Sequence, residues 1–198
     1  MCDVFLKNVL GSAIKSKIKI DSGYFDVAVR RGLLYAARPK KSYPVDVYDI
    51  STWRRLRQIS TRCCSAVDYS GHMLHVSDDH ILICCWHNRL QVLSHSGELL
   101  QTHGRSRDEP SEDDIMSDEP RYGPGVLDGP RLCHVDAEGS ALVADTHNDR
   151  LQVMTADGTW SVVDLNTKFV QPTAAVWWDA SLYVARDAKI AKYSVRAF

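Results

Sequence analysis

No apolar run in this 198-residue chain approaches the roughly 18 residues needed to span a bilayer, so a transmembrane helix is not expected. The first ten residues contain Asp3, lack a long apolar core and show no cleavage site, so a secretory signal peptide is not expected either. Two common enzyme signatures are missing: a Gly-x-Ser-x-Gly nucleophile elbow and a glycine-rich phosphate loop. There is no amphipathic stripe of period 3.6 of any length, which leaves little room for a helical core. Cysteines are few: Cys2, Cys63, Cys64, Cys84, Cys85 and Cys133. Two adjacent pairs, one inside an apolar run, read as small reduced core residues and not as a disulfide framework. The expectation is a cytoplasmic protein without a cofactor.

What the chain does contain is repetition. One segment runs His75-Val-Ser-Asp-Asp-His-Ile-Leu-Ile-Cys-Cys-Trp-His-Asn-Arg-Leu-Gln-Val92. A second runs His134-Val-Asp-Ala-Glu-Gly-Ser-Ala-Leu-Val-Ala-Asp-Thr-His-Asn-Asp-Arg-Leu-Gln-Val153. With two short gaps they share His-Val, an apolar strand, His-Asn and Arg-Leu-Gln-Val, and each is followed by a glycine turn and another strand. Weaker copies flank them at 24–60 and 170–195, with short runs of Val, Ile, Leu, Tyr and Trp punctuated by turn residues. Four short strands every 40–60 residues predict an all-β propeller, because one blade cannot bury both faces of its sheet. The predicted blades span about 21–62, 63–104, 126–168 and 169–198, forming a single domain over 1–198. Residues 1–20 offer a strand that could close the last blade; otherwise the chain is an open arc, part of a larger ring, or half of a self-associated pair.

The stretch from Gly129-Pro130 to Val153 resembles an NHL repeat: a proline before the first strand, an Asp/Gly-type turn, a strand ending in Ala-Asp, then Asn-x-Arg and an apolar strand. The resemblance implies that Asp145, Asn148 and Arg150 hydrogen-bond between strands and neighbouring blades. The preceding repeat keeps Asn88 and Arg89 but has Cys85 in place of the aspartate. NHL propellers usually have six blades, whereas four are legible here. The family resemblance implies a non-catalytic surface that binds a protein or RNA. A metal-dependent propeller enzyme, lactonase-like or amidating-lyase-like, is the competing class.

Charge is unevenly spread. Residues 1–62 carry 13 Lys/Arg against 5 Asp/Glu, and residues 63–198 carry 11 against 20, so a basic start balances an acidic remainder. In propeller order, the loops joining strands 2–3 and those between blades share one face. That face is predicted to carry Arg38, Lys40, Lys41, Tyr43, Arg62, Trp86 and His87, where cations beside aromatics suit phosphate contact and base stacking on single-stranded RNA. A solvated basic rim would look the same in sequence. The stretch 105–125 is acidic, holds three prolines and has few apolar residues, and reads as a disordered insertion. His72, His75, His80, Cys84, Cys85 and His87 lie close in sequence. Adjacent cysteines point to opposite faces of a strand, however, so a zinc site is not expected.

Overall fold

A computed structural model describes residues 2–5, 17–20, 24, 26–38, 44–60, 73–85, 88–106, 123–165 and 169–194. The chain is all-β, with a single 3-10 turn at Thr146–Asn148 among these residues. A hairpin of β1 (Cys2–Phe5) and β2 (Lys17–Ile20) comes first. Blade 1 then holds β3 (Asp26–Arg30), β4 (Leu33–Ala37), β5 (Val45–Asp49) and β6 (Arg55–Ile59). Blade 2 holds β7 (Met73–Val76), β8 (Ile81–Cys85), β9 (Arg89–Leu93) and β10 (Leu99–His103). The short β11 (Arg105–Ser106) runs parallel to β12 (Val126–Leu127). Blade 3 holds β13 (Pro130–Val135), β14 (Ala141–Asp145), β15 (Arg150–Met154) and β16 (Trp160–Val162). Blade 4 holds β17 (Ala174–Trp178), β18 (Ser181–Arg186) and β19 (Lys189–Ser194). Within each blade, consecutive strands pair antiparallel in sequence order.

The core lies between blades rather than within them. Tyr35, Val47 and Ile59 of blade 1 meet Leu74, Ile81 and Ile83 of blade 2. On the other face of blade 2, Leu82, Cys84 and Leu90 meet Leu132, Val143 and Met154 of blade 3. Leu142, Ala144 and Leu151 then meet Phe169, Leu182 and Val184 at the edge of blade 4. This explains why the second strands read as unbroken apolar runs: β14 is covered by blade 2 on one side and blade 4 on the other, and every one of its residues is buried. Each fully buried leucine in these layers contributes about 1.5–3 kcal/mol.

Two observations amend the sequence reading. Lys17–Ile20 pairs with Cys2–Phe5 instead of completing blade 4, so β19 has no outer neighbour among the described residues. The inner strands β3, β7, β13 and β17 run side by side in that order, while β17 and β3 make no comparable approach. The described blades therefore form an arc of four, with Val176, Trp178 and Ile190 exposed at its end. The expected insertion also narrows. The backbone of Arg105–Ser106 pairs with β12, and Gly125 is buried, so both ends of 105–125 belong to the fold. No helix among the described residues is long and apolar enough to cross a membrane.

Candidate functional site

Two buried carboxylates pin the blades. Asp145, at the end of β14, has no exposed surface. Its Oδ1 accepts from the Asp128 amide at 2.6 Å. Its Oδ2 accepts from Asn148 Nδ2 at 2.9 Å, Arg150 Nε at 2.8 Å and Gln152 Nε2 at 2.9 Å. Arg150 also donates to the carbonyls of Gly123 and Val126, at 3.1 and 2.6 Å. Gln152 donates to Val126 and accepts from the Gly125 amide. The motif residues Asp145, Asn148 and Arg150 thus meet at one point, together with Gln152. Sequence reasoning passed over this glutamine although it recurs as Gln91 in the other repeat. In blade 2, where Cys85 stands opposite Arg89, the arginine donates to the Gly104 carbonyl instead. Asn88 Oδ1 accepts from the Gly129 amide at 3.0 Å, tying blade 2 to blade 3. Gly129 has φ +63°, and a Cβ there would lie 2.8 Å from the His147 ring, so glycine is required.

The second carboxylate is Asp46, also without exposed surface. It accepts from Tyr24 Oη at 2.7 Å, Arg38 Nε at 2.5 Å and Gln58 Nε2 at 2.8 Å. Burial pushes this carboxyl up, but hydrogen bonds from Tyr24, Gln58 and Arg38 outweigh it and hold the group below its ordinary value. Burial, followed by the bonds to Tyr48 and Asp46, raises the Tyr24 phenol. The arrangement corrects one expectation. Arg38 is buried, donates to Asp46 and Tyr24, and packs over the Tyr24 ring. An anion-binding residue must meet solvent, and this guanidinium is turned inward to neutralise a carboxylate. Lys40, Lys41, Tyr43, Arg62, Trp86 and His87 lie outside the described residues.

A described concavity lies on the opposite face, where the loops joining strands 1 and 2 emerge. A cleft of about 430 Å³ opens between blades 2 and 3. Leu82, Val92, Val135 and Met154 form its floor; Ser77, Asp79 and His80 form one wall, and Asp136 to Gly139 the other. Loop length builds these walls. Blades 1 and 4 turn with only Arg31-Gly32 and Asp179-Ala180, whereas blades 2 and 3 use 77–80 and 136–140. Asp136 holds its loop by accepting from the Ser140 amide at 2.7 Å. His103 of β10 lines the cleft, and burial lowers its pKa, which favours a neutral imidazole near pH 7. The corresponding junction between blades 1 and 2 is bridged: Arg30 and Arg31 reach Asp78 at 2.6 and 2.9 Å. Those contacts, led by the Arg30 hydrogen bond, hold the Asp78 carboxyl down at about 2. An apolar floor with Asp79, Glu138 and two imidazoles at the rim suits a long aliphatic side chain ending in a cation or a hydrogen-bond donor.

Of the histidines and cysteines weighed as metal ligands, His75, His80 and Cys84 have described side chains; His72, Cys85 and His87 do not. His80 is exposed at the cleft, and Cys84 is inside the core between blades 2 and 3. Among the described residues, no group of three or more His, Cys, Asp or Glu is placed to hold a metal ion. Cys84 and Cys133 are free thiols; burial pushes Cys84 up strongly and Cys133 to about 11.

No protein-family model matches the chain, and no curated protein does. Solved structures do. The computationally designed Ika4 protein aligns over 90% of this chain and 94% of its own, at 13% identity and a TM-score of 0.57. A streptogramin B lyase aligns over 88% of this chain and 55% of its own, at 19% identity and a TM-score of 0.56. A structural-genomics protein of unknown function from Bacteroides thetaiotaomicron aligns over 85% and 46%, at 14% identity and a TM-score of 0.63. Apart from Ika4, this chain spans about half the length of such structures. At these identities the likeness concerns architecture alone, and it agrees with the blade-by-blade stacking: the chain has a β-propeller fold.

Proposed function

We propose that this chain is a non-catalytic, NHL-like propeller module that recognises a protein partner through a loop face. The observation that carries the reading is the contrast between its charged groups. The charges of the best repeat, Asp145 and Arg150, are turned inward and saturated as blade clips. The cleft between blades 2 and 3 is instead walled by loops found in those blades alone, with Asp79, His80 and Glu138 at its mouth. A lysine or arginine side chain of the partner fits this lining.

The test places a photocrosslinking amino acid at Glu138 and, as a control, at the exposed Leu56 on the outer strand of blade 1, in cells. A discrete adduct at 138 that is absent at 56 and abolished by Asp79→Lys supports the reading. Equal labelling at both positions defeats it. RNA is the second reading, favoured by the basic excess of residues 1–62. Titration with mixed single-stranded RNA at low salt, on wild type and Lys40→Glu/Lys41→Glu, decides it. Binding that weakens with salt and is lost in the variant assigns RNA to the segment that carries Lys40 and Lys41. The metal-dependent enzyme alternative requires carboxylates or histidines of several blades to meet around a metal. Metal analysis of the purified protein tests it.

A further inference from the structure

Blades 1, 2 and 3 each end in a fourth strand, whereas β19 has β18 on one side and no strand on the other among the described residues. Burial records the consequence. The third strands β5 and β9 are buried along nearly their whole length and β15 along most of it, yet every residue of β19 except Tyr193 is exposed, Ile190 at 76%. Six residues of exposed edge present a row of backbone donors and acceptors ready to pair with another strand.

Beside this edge lies a recess of about 330 Å³, lined on its apolar side by Phe169, Pro172, Val184, Ala191 and Tyr193. Blade 3 shows what such a place holds when the fourth strand is present. Trp160 of β16 pairs across from Met154 and packs against the core shared with blade 2. The recess in blade 4 is on the equivalent side, facing blade 3, since Val184 and Tyr193 belong to the core layer between blades 3 and 4.

We propose that β19 is a docking edge for an extended acidic segment of a partner protein, which adds as the fourth antiparallel strand of blade 4. The segment seats one apolar side chain in the recess and sets carboxylates against Lys189 and Lys192. Charge selects the occupant. Arg186 and Asp187 offset each other at 3.4 Å, leaving the two lysines as the strand's net charge. A second copy pairing through β19 would set lysines against lysines, and the chain's own β2 would bring Lys17 and Lys19; like charges across a ladder are destabilising. Main-chain pairing supplies affinity in this mode, and alternate side chains supply specificity. The docking edge is distinct from the loop-face cleft, so either can fail alone.

The test is fluorescence anisotropy with a labelled peptide of sequence Thr-Glu-Leu-Val-Glu-Thr against the full chain; its carboxylates are three residues apart, like Lys189 and Lys192, and its leucine falls opposite Ala191 at the recess. Two N-methylated versions, blocked at odd or at even residues, separate strand pairing from simple charge attraction, because only one set of amides faces β19. We expect saturable binding, weakened at least about tenfold by one methylation pattern and little by the other. Lys189→Glu/Lys192→Glu, with both substitutions at exposed positions and the fold checked by circular dichroism, should weaken it by a similar factor and favour a Lys-substituted peptide. No saturation by about 1 mM peptide overturns the proposal. So does equal binding of both methylated peptides, or of acidic and basic peptides. Sedimentation as a dimer whose formation excludes the peptide would assign the edge to a second copy and overturn it as well.

Discussion

Asp145 has no exposed surface, and an unpaired carboxylate in that position would be untenable, yet three side chains and a backbone amide bond it. Arg150 has a wider reach than the carboxylate, since it also holds the Gly123 and Val126 carbonyls that lead into blade 3. Replacing Arg150 by Ala leaves those acceptors short of a donor. Asn148, Gln152 and the Asp128 amide remain on the carboxylate, so the expected loss is about 1–3 kcal/mol and not that of a bare buried charge. Urea denaturation of the variant checks this, and an unchanged midpoint contradicts it. The Asp-Asn-Arg part of this clip was legible because the residues stand in the order that an NHL repeat has, with the asparagine and arginine recurring as Asn88 and Arg89. The Asp46 clip was not legible: Tyr24, Arg38 and Gln58 reach it from separate segments of the chain with no shared motif.

Elements show why an apparently featureless stretch has structured ends. The acidic composition of 105–125 suggested a detachable insertion, but Gly125 donates to Gln152, Arg150 donates to Gly123, and β11 lies beside β12. Replacing 107–122 with a short Gly/Ser bridge is expected to leave the melting temperature within a few degrees of wild type, because loop-closure entropy changes slowly with length. Extending the deletion through Gly125 removes partners of both Arg150 and Gln152 and should lower it clearly. Differential scanning calorimetry of the two deletions distinguishes the cases; equal behaviour would show that these contacts carry little. The walls of the cleft are likewise a matter of elements. The longer 77–80 and 136–140 turns were visible in the sequence, but nothing there showed that the two loops flank one opening.

At the scale of the molecule, stability in a stack of repeats follows each blade's neighbours. Blades 2 and 3 are covered on both faces, whereas blade 4 is covered on one and lacks an outer strand. Hydrogen exchange should therefore be slowest in β8 and β14 and markedly faster in β19, with blade 4 opening first. Protection of β19 equal to that of β9 would show that its edge is covered in solution.

The sequence by itself determined the blade rhythm, the all-β class and the identity of the best clip, because strand periodicity, turn residues and a repeated motif are local properties of the chain. Tertiary structure alone decided that Arg38 faces inward, that Lys17–Ile20 pairs with Cys2–Phe5, and that the cleft lies between blades 2 and 3. The first two depend on which segments come together in space; the cleft depends on which face of one blade meets the next, and a one-residue change in strand parity reverses that facing. Blades 2 and 4 show the effect: Ile81 and Ile83 face the preceding blade from the first and third positions of β8, but Leu182 and Val184 do so from the second and fourth of β18.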